Sequence, residues 1–220
     1  MSKSLVIVGN GQMAELFYLN FTHFSDYRVA GFAVDRQFIG AERLHGLPVV
    51  PFEEMQLHFG PESFHAFVAI GPMKNNSVRA ERFLDLRQKG YRFANCISPH
   101  AVVSPDASIG ENVVIGHLAV VSPWARIGDN VLIGTGSSVG HHCQVHDHAF
   151  LPVHVIMAGS VIVGERAFVG AGATIRDNVT IGEGSVISAG ATILGDVEPN
   201  SVYGSSAAKP LPMRADQARL

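Results

Sequence analysis

The sequence predicts an α/β parallel-sheet domain over residues 1–95, a parallel β-helix over 96–198 and a short tail over 199–220. Three observations predict it: a strict six-residue recurrence, a composition shift near residue 95, and a strand–glycine turn–helix pattern at the start. The chain has 220 residues, room for one large domain or two modest ones. It is 47% hydrophobic and 16% charged, which excludes a disordered chain.

The recurrence begins at Ile97. Every sixth residue from there to Ile193 is aliphatic or Met, including Ile115, Val139, Leu151, Met157 and Ile175. A second series lies two residues before each, and from Ala107 to Val197 every member is small or β-branched. A period of six matches neither the helical period nor simple alternation. It fits short flat strands joined by tight turns, with the large side chain inward and the small one beside it. Stacked coils bury one continuous core that no single coil could bury. Three hexads would make one triangular coil, so five to six coils are expected. Gly and Asn, as in Asp129-Asn130 and Asp177-Asn178, are expected at turns needing unusual backbone angles. The register runs without a break from 97 to 193, which excludes a long inserted loop.

Charge and cysteine usage narrow the class. The formal charge is −3 and the basic residues are scattered, so nothing suggests a nucleic-acid surface. Residues 1–96 carry 10 basic and 9 acidic side chains, and 97–220 carry 6 and 10. That shift marks the domain boundary. Two cysteines, Cys96 and Cys143, make no disulfide framework. MSKSLVIVG is too briefly apolar for a signal peptide, and no run is long enough to span a membrane, so a reducing cytoplasm is expected.

In the first domain, Leu5–Val8 reads as a strand, Gly9-Asn10-Gly11 as a turn and 12–24 as a helix. The GxGxxA pattern, ending at Ala14, is close to the Rossmann-like dinucleotide fingerprint. Its glycines let phosphate approach the backbone at a helix N-terminus. A second strand, 28–35, ends in Asp35, 24 residues after Gly11 and near the usual spacing for a ribose-binding carboxylate. A short helix from Pro51, a third strand over 65–71, a helix over 77–90 and a fourth strand over 91–97 follow. About 90 residues is too short for a six-stranded dinucleotide fold. A nucleotide or nucleotide sugar fits better, or the glycines merely tighten a turn.

Eleven histidines are present, and five fall in one span: His141, His142, His146, His148 and His154. His141 and His142 lie between inward Val139 and inward Cys143 and should point outward. Clustered imidazoles suit a general base or a metal site. No histidine stands one coil before or after His141 or His142, so convergent metal ligands would have to come from a neighbouring subunit; no metal is predicted. A general base needs only one imidazole. Cys143 reads as core, and Trp124 as an exposed or interface aromatic.

Taken together, Gly9-Asn10-Gly11-Gln12, the strand ending at Asp35, Ala69-Ile70-Gly71 and hexapeptide coils with a mid-helix histidine resemble the sugar acyltransferases of the NeuD/PglD type. IGPMKNNSVR at 70–79 and KGYRFANCISPHAVVSP at 89–105 match that family's linking region, and DVEPNSVYGSSAAKPL at 196–211 resembles its usual end. The resemblance covers essentially the whole chain. It implies a left-handed β-helix, a homotrimer, and acetyl-CoA in the groove between adjacent helices. It implies a nucleotide-linked amino sugar held by Gly9, Asn10, Gly11, Gln12, Asp35, Arg36, Gly71 and Lys74. Gly159, Phe150, Ala171, Gly172, Gly190 and Lys209 are the implied cofactor contacts.

The same resemblance implies N-acetyl transfer, at the C4 amine of a dideoxy sugar, by His141, His142 and Gly159. The family's segment usually reads His, acid, Cys. Here GHHC puts the base at His141 and sets His142 where a carboxylate normally steadies the imidazole. Asp147 or a backbone carbonyl is the expected substitute. Gly159, one full coil on from His141, would supply the oxyanion N–H. O-acetylation of a sialic-acid-like sugar and a non-catalytic binding trimer are the alternatives.

Overall fold

The computed structural model describes residues 3–206. The chain opens on β1 (Lys3–Val8), α1 (Gln12–Phe24) and β2 (Tyr27–Val34), continues through β3 (Arg43–Leu44), β4 (Leu47–Pro51), α2 (Met55–His58) and β5 (Phe64–Val68), and closes the first domain with α3 (Ser77–Gln88) and β6 (Arg92–Phe93). The sheet order is β3-β4-β2-β1-β5-β6. Every pairing is parallel except β3 with β4, an antiparallel hairpin at the edge. The sheet is therefore mixed, not wholly parallel as predicted. His45 and Gly46, both at positive φ, form that two-residue turn.

The central strand buries both faces, which is why it is a continuous apolar run. Leu5 and Ile7 face α1 and the β-helix, with Phe17, Phe21, Phe32 and Phe67. Val6 and Val8 face the other way, with Met55, Phe83 and Leu86 of α2 and α3. The expected fourth strand over 91–97 is divided. Arg92–Phe93 pairs with β5, whereas Cys96–Ile97 is already the first rung of the β-helix and pairs with Val114–Ile115. Two pleats cannot be satisfied by one straight strand, so the chain turns at Ala94-Asn95.

From Cys96 to Ile193 each rung is two residues long and pairs in parallel with the rung three hexads away, and a last rung, Val202–Tyr203, pairs with Val186–Ile187. The rungs build three sheets of seven, six and five strands, the walls of a left-handed prism. Both sequence series point inward. Ile115, Ile133, Leu151, Val169 and Ile187 are fully buried, as are Ala119, Ala125, Ala149, Ala167 and Ala173 beside them.

Three columns of two-residue turns form the prism's corners. Their second residue has positive φ at Asn112, Leu118, Trp124, Asn130, His142, His148, His154, Ser160 and Arg166, as well as at several glycines. Asn130 and Asn178 serve the turns as predicted. Glycines just after the large aliphatics have another reason. Gly116 lacks positive φ, and a Cβ there would stand 2.6 Å from the Thr135 nitrogen of the next coil. Those glycines let coils stack closely.

The first domain docks on one corner. Asn112 Oδ1 accepts from Val68 N at 2.8 Å, and its amide donates to Asn130 Oδ1 at 2.8 Å. Asn130 in turn meets His148 Nδ1 at 2.9 Å. Arg79 of α3 is buried and donates to the carbonyls of Asn130 and His148. Burial pulls its guanidinium down to about 9. Asn76 donates to Arg166 O and Asn75 to Gly184 O.

Candidate active site

His141 and His142 occupy a corner away from the docked domain, and both are exposed. This corner stacks Trp124, the His141–His142 pair and Gly159 on successive coils, because each step is three hexads. His141 Nδ1 lies 3.1 Å from His142 Nδ1. The His142 ring packs on Trp124 with centroids 4.8 Å apart and planes at 34°.

The His141 ring rests on Gly159. A Cβ on that glycine would stand 2.6 Å from His141 Nε2. Among the described residues the Gly159 N–H has no hydrogen-bond acceptor, although its carbonyl accepts from Asn178 N at 3.0 Å. The corner thus presents an imidazole nitrogen beside an available backbone donor, the pair needed to accept a proton and to hold an oxyanion.

The expected orienting groups are elsewhere. Asp147 Oδ1 accepts from Asp129 N at 2.8 Å, along the domain-docking corner. The partner of His141 is its neighbour, His142. Cys143 is buried and donates to Ala158 O at 3.1 Å, and burial pushes its thiol up, so it is no nucleophile. Among the described residues no group of three His, Cys, Asp or Glu side chains could hold a metal.

A second site lies at the carboxyl ends of β1, β2 and β5. A cleft of about 580 Å³ is lined by Gly9, Asn10, Gly11, Gln12, Asp35 and Gly71, with Phe38, Met73 and Arg82. Six of the eight predicted substrate residues therefore meet there. Gly9 has φ +127, and a Cβ would stand 2.8 Å from Ala69 O, so only glycine fits that turn. The two predicted cations do not line the cleft. Arg36 pairs with Glu54, and Lys74 is exposed in the turn before α3. The cation present is Arg82, which the sequence reading does not single out. Its Nη2 donates to both oxygens of Asp35 at 2.8 Å.

The predicted cofactor residues divide among three places. Phe150 is buried in the seam between α1 and the prism, stacked on Phe168 at 5.7 Å, because it is the outward member of its rung. Ala171, Gly172 and Gly190 lie on the third corner, and Gly159 on the histidine corner. Within one chain a sheet wall bearing Val120, Ser138 and Ile156 separates those two corners. Lys209 lies outside the described residues.

Residues 160–195 match the family described as bacterial transferase hexapeptide (six repeats), and 124–141 match the hexapeptide repeat of succinyl-transferase. No curated protein sequence matches the chain. A solved histidine-to-asparagine variant of perosamine N-acetyltransferase from Caulobacter crescentus, in complex with CoA and GDP-perosamine, is 29% identical. It superposes with a TM-score of 0.81 over 92% of this chain and 93% of that one. The acetyltransferase domain of PglB from Neisseria gonorrhoeae FA1090, in complex with acetyl coenzyme A, is 26% identical, with a TM-score of 0.84 over 96% and 100%. WeeI from Acinetobacter baumannii AYE, at 20% identity and a TM-score of 0.76, shares the fold. Over nearly its whole length the chain is similar to hexapeptide-repeat acyltransferases of the NeuD/PglD and perosamine-acetyltransferase type.

Proposed function

We propose that this protein transfers the acetyl group of acetyl-CoA to the amino group of a nucleotide-linked amino sugar, at C4 of a dideoxy sugar. The observation that carries this reading is the His141 imidazole lying against Gly159 at an exposed corner. The related perosamine N-acetyltransferase, solved with CoA and GDP-perosamine, supports the substrate class.

In this reading Nε2 of His141 takes the proton from the amine as its nitrogen bonds to the thioester carbonyl carbon. The Gly159 N–H faces the oxygen that becomes negative, a contribution of about 3–4 kcal/mol where such donors have been removed. The C–S bond then breaks, and His141 returns the proton to the sulfur. The thioester supplies only the activated acyl group. The amine is already nucleophilic, so no covalent enzyme intermediate is required.

The nucleotide occupies the cleft of Gly9–Gln12, Asp35, Gly71 and Arg82. The protein acts as a homotrimer, in which the corner of Ala171, Gly172 and Gly190 meets the His141 corner of a neighbour. The exposed apolar side chains on the wall between those corners, Val102, Val120 and Ile156, support that packing. No helix among the described residues is long and apolar enough to cross a membrane. Two unpaired cysteines suit the cytoplasm.

Thiol release from acetyl-CoA, measured against a panel of amino-sugar nucleotides, tests the reading. His141→Asn should lose roughly 10²–10⁴-fold in turnover while calorimetry finds nucleotide-sugar binding retained. Unchanged turnover in that variant would place the base elsewhere, and no thiol release from the native protein with any of these sugars would leave a binding trimer as the better description.

A further inference from the structure

The bond between His141 and His142 joins two identical groups, so a single proton must choose between them. We propose that His142, held by Trp124, is the positioning residue for His141. Its Nδ1 lone pair accepts the Nδ1–H of His141 and keeps Nε2 of His141 unprotonated. This rests on the proposed acetyl transfer for its consequence, but not for its geometry.

Three observations carry it. The two Nδ1 atoms are 3.1 Å apart, within reach of one N–H···N bond. Two protonated nitrogens could not face each other there, so one ring donates and the other accepts. Next, Trp124 and His142 both hold positive φ, +61 and +59, so their side chains leave the corner one above the other. The indole face then limits rotation of the imidazole. Finally, no carboxylate competes. The acidic groups at this corner are Asp106 and Asp177, and Asp177 is engaged by the Asn178 amide at 2.8 Å. Neither histidine has a carboxylate partner among the described residues.

The reverse arrangement, His142 donating, would put the proton of His141 on Nε2 and remove the base. With His142 accepting, the amine proton enters at Nε2 while the Nδ1 proton stays between the rings. The pair then holds one added proton as a unit. A carboxylate in place of His142 would attract the imidazolium instead; a neutral ring orients without that attraction.

Nitrogen-15 NMR of the ring nitrogens in the full chain reads the tautomers directly. Near neutral pH the expected result is Nδ1–H for His141 and Nε2–H for His142. In His142→Ala, His141 should shift toward Nε2–H, and kcat should fall by up to roughly 100-fold with KM unchanged. His142→Asn, whose amide oxygen can accept and whose side chain suits positive φ, should restore the Nδ1–H tautomer and most of kcat. His142→Glu should restore turnover and move the acid limb of kcat/KM to higher pH. An Nε2–H tautomer for His141 in the unmodified protein overturns the proposal. So does a His142→Ala protein with unaltered tautomer and kcat, or an asparagine variant no better than the alanine one. Absence of acetyl transfer in the unmodified protein would instead overturn the functional reading, and the tautomers would still decide whether His142 orients His141.

Discussion

Gly159 carries His141: any Cβ on the glycine would stand 2.6 Å from Nε2 of the imidazole and occupy the space in which that nitrogen lies. Gly159→Ala should therefore displace the ring without touching the prism core. The expected outcome is a loss of kcat of up to roughly 100-fold, with nucleotide-sugar affinity unchanged by calorimetry. An alanine variant with full turnover would place the base elsewhere.

Among the described residues Arg82 is the cation lining the cleft proposed for the nucleotide. It holds Asp35 through two contacts of 2.8 Å, so both the carboxylate and the remaining guanidinium donors are fixed before a ligand arrives. Hydrogen bonds to charged groups contribute about 1.5–3 kcal/mol. Arg82→Ala should raise the Kd for the nucleotide sugar by roughly 10- to 100-fold, with acetyl-CoA binding unaffected. Titration calorimetry of both ligands checks this.

His148 links acidity to domain docking. It is 4% exposed, and burial, reinforced by the Arg79 charge, lowers its pKa from 6.5 to about 4. The folded state thus binds fewer protons than the unfolded state between those values, and stability rises with pH across the window. Conversely, as pH falls from about 6.5 toward about 4, stability should drop by up to about 1.4 kcal/mol per unit. His65, lowered mainly by burial, acts in the same direction. The difference between the native protein and His148→Asn isolates the His148 part. Urea unfolding at pH 7 and pH 5 should show a smaller loss in the variant.

Ile156 is 50% exposed on the wall between the histidine corner and the corner of Gly172 and Gly190. If neighbouring chains complete the site, Ile156→Asp should convert a trimer to monomers in sedimentation equilibrium and abolish transfer, with the fold intact by circular dichroism. A monomeric native protein with full activity would overturn the trimeric site.

The prism was legible in the sequence because burial decides each large inward position: a polar residue at Ile133 or Val163 would disrupt two neighbouring coils. The same arithmetic placed Gly159 over His141. It also contained the Trp124–His142 contact, since the two positions differ by one coil, but the significance of that difference depends on both residues adopting positive φ. Phe150 reads as a cofactor contact by resemblance, although its place beside inward Leu151 marks it as the outward member of its rung. Arg82 and Asp35 are far apart in sequence and come together only when α3 crosses the end of β2. No periodicity reports such a meeting. Arg36, nearer in sequence, turns to Glu54 instead.

The docking of α3 has a consequence for evolution by insertion and deletion. Arg79 of α3 and Asn75 and Asn76 in the turn before it engage successive coils at one corner through main-chain carbonyls, at Asn130, His148, Arg166 and Gly184. At that corner the first domain therefore measures the prism in whole turns, through main chain more than side chains. One extra coil of three hexads added after Ile193 would lengthen the molecule without changing the span from Asp35 to His141. Loss of a single hexad between Asn130 and His141 would rotate every later residue by one corner, delivering the histidine pair to the wrong edge. Length change in this lineage should come in multiples of three hexads, or not between those residues at all.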